Sequence, residues 1–180
     1  RAGAAVADMT AGLFAALGIM VALIEREKSG EGQYVEASLL AAQIFMLDFQ
    51  AARWLISGEI APQAGNDHPT GIPTGVFPTS DGHINIAASG DNLYERCCKA
   101  LGVPDLITHP DYKSGSSRSK NRKVLNGLLA ERTKTNTSAH WIAALNKAGV
   151  PCGPINNIKQ TFDEPQVKHL GIARKVRHKK

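Results

Sequence analysis

One carboxylate has the setting for covalent chemistry. Asp8, in Val6-Ala7-Asp8-Met9-Thr10-Ala11-Gly12-Leu13, precedes apolar residues at helical spacing (Leu13, Phe14, Leu17, Met20, Val21, Leu23, Ile24), and the run ends at Glu25-Arg26-Glu27-Lys28. Asp8 or Thr10 is therefore expected to cap this helix, where free backbone N–H groups and the helix dipole favour negative charge. A carboxylate kept ionised there, among alanines and a glycine that exclude water, is a usable nucleophile. Aspartate is also a common helix cap, so the local sequence leaves an ordinary capping role open.

A second candidate, His68, stands in Gly65-Asn66-Asp67-His68-Pro69. A loop histidine is either a surface residue or part of a site, and long irregular loops are often functional. The cysteines carry less. Cys97 and Cys98 are adjacent and Cys152 is alone, a pattern that gives neither a disulfide framework nor metal-ligand spacing. No metal is expected, Cys97 reads as a small core residue, and a reducing cytoplasm, or a mitochondrial matrix in a eukaryote, fits three free thiols.

These residues need elements to hold them. A buried helix is predicted over residues 10–24, with Gly30 in Ser29-Gly30-Glu31-Gly32 closing it in the left-handed conformation. Residues 33–37 read as a short strand, and Ser38 as the cap of a second helix that runs to about residue 56. That helix is apolar on more than one stripe, which predicts burial in a core or at a subunit interface. Residues 57–74 are punctuated by Gly and Pro and mark a boundary. Two β-like runs flank Ser80-Asp81-Gly82, a hairpin signal. Helices follow over residues 92–101, 118–132 and 138–147, the last capped by Thr137 with Trp141, Ile142 and Leu145 inward. Val150-Pro151-Cys152-Gly153-Pro154-Ile155 is an extended connector, followed by short helical segments over residues 157–162 and 164–169.

Composition bounds the function. The 180 residues, 43% hydrophobic and 21% charged, are enough for a real core and argue against disorder. The net charge of +5 gathers between Lys113 and Lys123 and in the C-terminal tail, without interleaved aromatics, so a solvated face or attraction for a small anion is expected and nucleic acid is not. The first apolar run, about 15 residues, falls short of the ~20 that cross a bilayer, so no membrane association is expected. The chain starts at Arg1 and is expected to be a piece of a longer polypeptide.

Taken in order, the Asp8 segment, Lys28-Ser29-Gly30-Glu31-Gly32-Gln33, Gly65-Asn66-Asp67-His68-Pro69, Phe77-Pro78-Thr79-Ser80-Asp81-Gly82, Gly149-Val150-Pro151-Cys152-Gly153-Pro154-Ile155 and Glu164-Pro165-Gln166-Val167 form a set. The set resembles the family III CoA-transferases, the group of formyl-CoA and carnitine CoA-transferases, over essentially the whole chain. The resemblance implies an α/β fold: part of a large α/β domain plus an α+β small domain. Residues 1–60 would belong to the large domain, residues 61–148 to the small domain with its linker, and residues 149–180 to a segment returning to the large domain. It implies that Asp8 attacks an acyl-CoA thioester and becomes an aspartyl-CoA thioester, with CoA as substrate, no separate cofactor, and a small carboxylic acid as acceptor. Leu39 matches a CoA-contacting position. The family's glycine-rich loop corresponds to residues 65–75, which lack a four-glycine run, and Gly65, Asn66 and His68 are the candidates there. An interlocked homodimer is implied, as is a CoA pocket built largely upstream of Arg1, so the piece alone is expected to be inactive.

Two alternatives remain at this level. The related α-methylacyl-CoA racemases use an equivalent aspartate for proton transfer, although the Gly-Asn-x-His-Pro stretch looks more like the transferase side. A non-catalytic assembly piece is the other.

Overall fold

The computed structural model describes residues 3–177; Arg1 and Ala2, and His178, Lys179 and Lys180 of the basic tail, lie outside the described residues. The chain divides into two units, Arg1–Pro62 and Gln63–Lys180.

The first unit is helical. Helix α1 spans Val6–Ser29, starting earlier and ending later than the predicted residues 10–24, and Gly30 closes it at φ 76° with its N–H on the Arg26 carbonyl. With 24 residues, α1 is long and apolar enough to cross a membrane by length and composition, so the length argument against a span does not hold. Ser38 caps α2 (Leu39–Phe45), its Oγ accepting the Ala41 N–H at 3.1 Å. The second helix is not continuous. It breaks at Met46-Leu47-Asp48, where Asp48 takes φ 49°, and α3 (Phe49–Ser57) leaves at 80° to α2. Apolar residues on more than one stripe suggest one continuous helix, and that reading passes over Asp48 at the break.

Helices α1 and α2 pack through the Phe14 and Phe45 rings, edge to face at 5.0 Å. A Cβ on Gly18 would stand 2.7 Å from Cγ1 of Val35, so a glycine is what admits the segment after α1 so close to the helix. That segment, residues 33–37, is not the predicted strand. A strand needs a partner for its ladder, and no other described residues of this unit form one. Burial here is slight: Ala11 and Ala42 are the buried residues among the described ones, while Leu13, Leu17, Met20, Leu40, Leu55 and Ile56 are exposed.

The second unit has its own core. Strand β1 (Thr74–Pro78) pairs antiparallel with β2 (His83–Ala87) around the predicted Asp-Gly turn, in register Val76 to Asn85. Alternation puts Phe77, Ile84 and Ile86 inside and His83 and Asn85 outside. The extended stretch around Cys152 is a third strand, β3 (Cys152–Pro154), antiparallel to β2.

Helix α4 (Asp91–Leu101) ends at Gly102 with φ 71° and buries Tyr94, Cys97, Cys98 and Leu101. A short α5 (Asp105–Thr108) follows. The predicted helix over residues 118–132 is two pieces, α6 (Gly115–Lys120) and α7 (Arg122–Thr133), separated at Asn121. Thr137 caps α8 (Ser138–Lys147), which buries Trp141 and Leu145 as expected. Leu125, Leu129, Leu145, Val150 and the sheet residues form one cluster. Asn157 opens α9 (Ile158–Asp163) with a capping box, and Pro165 starts α10 (Pro165–Leu170).

Candidate active site

Asp8 lies in the first turn of α1, but it is not the cap. The N-cap is Ala5, which makes no side-chain bond, and Asp8 is the third helical residue. Thr10 is not the cap either: its Oγ1 donates to the Val6 carbonyl at 2.7 Å, a bond made inside the helix. Asp8 is nonetheless where unpaired N–H groups and the helix dipole attract an anion. Within the described chain it is exposed, not shielded by its alanine neighbours. One turn further along the same face come Ala11 and Gly12, and a Cβ on Gly12 would meet nothing within 4 Å. Gly12 thus adds no side chain to the face that carries Asp8.

Leu39 is the first residue of α2 and is half exposed, so any contact it makes with a ligand is apolar. A cavity of 390 Å³ lies between α1 and the start of α2, lined by Phe14, Glu36, Ser38, Ala41 and Phe45 among others, with neither Asp8 nor Leu39 in its wall.

Gly65, Asn66 and His68 belong to the second unit, where they form an ordered loop ahead of β1. Gly65 takes φ 60° and Asn66 is exposed. The His68 N–H donates to the Thr74 carbonyl at 2.8 Å, and its Nδ1 accepts N–H bonds from Gly71 at 2.8 Å and Thr70 at 3.2 Å. An Nδ1 that accepts carries no proton, so the ring N–H is on Nε2. Asp67 closes over Gly75, where a Cβ would stand 2.6 Å from its Oδ1.

Three residues that position this loop went unnoticed in the sequence. Arg118 is 1% exposed; its Nε donates to the Ile72 carbonyl at 3.2 Å and its Nη1 to the Tyr112 carbonyl at 3.0 Å. Its Nη2 pairs with Asp91 at 2.6 Å, and the guanidinium lies 4.4 Å from the Tyr94 ring centroid. Nη2 of Arg122 donates to the Pro69 carbonyl at 2.8 Å, and Nδ2 of Asn126 donates to Oδ1 of Asp67 at 3.2 Å. The reading of the basic stretch as a solvated face is corrected for these two arginines, which donate to protein carbonyls and, for Arg118, to the Asp91 carboxylate as well. The available signal was partial: 122 and 126 stand four apart, the interval that places side chains on one face of α7, whereas Arg118 belongs to α6.

Burial disfavours the thiolate form of all three cysteines. Burial pushes the Cys97 thiol up to about 12, and burial likewise raises Cys98 and Cys152. Among the described residues no group of three His, Cys, Asp or Glu side chains is placed to hold a metal ion.

Comparison with known proteins places the chain. The model of CoA-transferase family III matches residues 1–180, and the chain belongs to that family. It is 37% identical over 99% of its length to human succinyl-CoA:glutarate CoA-transferase, covering 41% of that protein. It is 33% identical over 96% of its length to the succinate–glutarate CoA-transferase of Agrobacterium fabrum, covering 43% of it. A crystal structure of a CAIB/BAIF family protein from Brucella suis superposes with a TM-score of 0.80 at 35% identity, over 96% of this chain and 46% of that one. The expected fold, a mixed helix and strand chain of the family III type, is thereby established, and the chain spans less than half the length of these relatives.

Proposed function

We propose that the full-length protein transfers CoA from a short acyl-CoA, succinyl-CoA in the first instance, to a small dicarboxylic acid such as glutarate. The observation that carries this is the 37% identity over 99% of the chain to a succinyl-CoA:glutarate CoA-transferase. The transferase names of the relatives favour this reading over a racemase.

In this reading Asp8 is the nucleophile. Its carboxylate attacks the thioester carbonyl, the C–S bond breaks, and CoA thiolate leaves a mixed anhydride on Asp8. The thiolate then attacks the Asp8 carbonyl, expelling the donor acid and forming the aspartyl-CoA thioester. The acceptor carboxylate attacks that thioester and releases the thiolate again. The thiolate takes the acceptor acyl group, and Asp8 is free. The covalent route replaces one difficult exchange between two acids by steps that each pass through an activated acyl group on Asp8. The start of α1 supports the assignment: an aspartate in the first turn of a long helix, with Gly12 on its face.

Leu39 contributes apolar contact to CoA, and Gly65, Asn66 and His68 belong to the substrate loop. Residues 1–60 form part of a large domain, residues 61–148 a small domain, and residues 149–180 return to the large one. The protein acts as an interlocked homodimer, and the 180-residue chain by itself transfers no CoA. The apolar faces of α1, α2 and α3 pack against protein, not lipid.

The test is a transfer assay on the full-length protein with succinyl-CoA and a panel of glutarate, oxalate, formate and carnitine. Transfer to glutarate, or to another dicarboxylic acid in the panel, is expected. Absence of transfer to every acid, with α-proton exchange of a branched acyl-CoA instead, would overturn it.

A further inference from the structure

The loop over residues 65–73 forms neither helix nor strand, so its backbone groups must be satisfied by other means. They are satisfied from within by His68 and from outside by α6 and α7. The external backbone bonds are those of Arg118 to the Ile72 carbonyl and Arg122 to the Pro69 carbonyl, and Asn126 adds a bond to the side chain of Asp67. They grip the loop at three points within six residues. Arg118 is itself fixed on all sides, so the anchor does not move. Asn126 makes the point most clearly. Its Oδ1 is buried without a hydrogen-bond partner, a costly arrangement, while its amide donates to Asp67.

We propose that Arg122 and Asn126 are positioning residues for the transfer reaction, acting through the loop that carries Asn66 and His68; the proposal rests on the transferase reading given above. Neither residue touches the reacting atoms. Their effect is to hold the loop backbone in one shape before substrate arrives, so that less ordering is required during the reaction. Arg118 belongs to the same device, but it is buried in the core, and its removal would disturb folding.

The experiment uses the full-length protein, wild type and with Arg122→Ala, Arg122→Lys and Asn126→Leu. Two quantities are read: amide hydrogen exchange over residues 66–75 without substrate, and kcat and KM with succinyl-CoA and glutarate. Arg122→Ala and Asn126→Leu are expected to speed exchange in the loop while leaving the amides around Leu125 and Leu129 as protected as before. Their kcat should fall about 10- to 100-fold, as for groups displaced by an ångström or so, with KM for succinyl-CoA unchanged. Arg122→Lys keeps a donor and should recover most of the loss. A merely structural role would reduce the folded fraction and the core protection together, without splitting kcat from KM. Wild-type kcat in Arg122→Ala would overturn the proposal and leave the transferase reading intact. A wild type inert toward every thioester, with the loop still loosened in Arg122→Ala, would overturn the transferase reading and with it the part given to these residues.

Discussion

Asp81 illustrates how one side chain carries two structural duties. In sequence it is the middle of a hairpin turn; in the fold its Oδ1 also accepts the Ser138 N–H at 2.7 Å and the Ser138 hydroxyl at 2.9 Å, which ties the turn to the start of α8. Those bonds, the backbone one foremost, hold its carboxyl below the usual carboxylate value. A depressed folded pKa gives stability that is present above the unfolded value, about 3.9, and lost as pH falls through the folded one. Thermal unfolding between pH 5 and pH 2 should therefore show a weaker acid dependence in Asp81→Asn than in the wild type. The dependence will not vanish, since Glu95 and Asp163 are also held low by lysine partners. Identical acid limbs in the two proteins would contradict this role. Asp8 teaches the complementary lesson. Its position at the head of α1 was legible, but its expected capping bond was not made, because the helix begins at Val6 and Ala5 takes the cap.

At the scale of elements, what could be read in the sequence were features with a local cause. Gly30 and Gly102 stop helices because they adopt positive φ, Ser38 and Thr137 cap because their hydroxyls accept a backbone N–H three residues on, and Ser80-Asp81-Gly82 turns a hairpin. What escaped depended on partners distant in the chain. Residues 33–37 have strand-like alternation but no strand beside them, whereas Cys152–Pro154, a connector in sequence, becomes β3 because β2 offers an edge. The break at Met46-Leu47-Asp48 went unread although Asp48, a residue type that favours helix starts, stands in it. The loop over residues 65–73 was legible as a Gly- and Pro-punctuated stretch, and the α6 and α7 residues that bond to it were not, since those bonds span 46 to 59 positions. The stretch over residues 57–74 contains no lysine or arginine, so limited proteolysis of the full-length protein with subtilisin tests the boundary. Cleavage is expected there first, in residues 57–64 ahead of the loop that α6 and α7 hold. Earlier cleavage within α2 would contradict the proposed division.

For the molecule as a whole, the two units differ in what they bury. Residues 63–180 enclose a contiguous core with Ile84, Leu101, Leu125, Leu129 and Leu145 fully buried, each contributing roughly 1.5–3 kcal/mol of hydrophobic stabilisation. Residues 3–62 bury only two alanines and expose the apolar faces of three helices. Such a surface is covered in a functioning protein, and the relatives are more than twice as long as this chain. The claim that unites these observations is that Asp8 at the head of α1 is the covalent centre of a CoA-transferase. It is tested most directly by mass spectrometry of the full-length protein incubated with succinyl-CoA, wild type against Asp8→Asn. The wild type should gain the mass of a CoA thioester on the peptide containing Asp8, and Asp8→Asn, equally folded, should gain none and show no turnover. An adduct on another residue, or undiminished turnover in Asp8→Asn, would contradict the account.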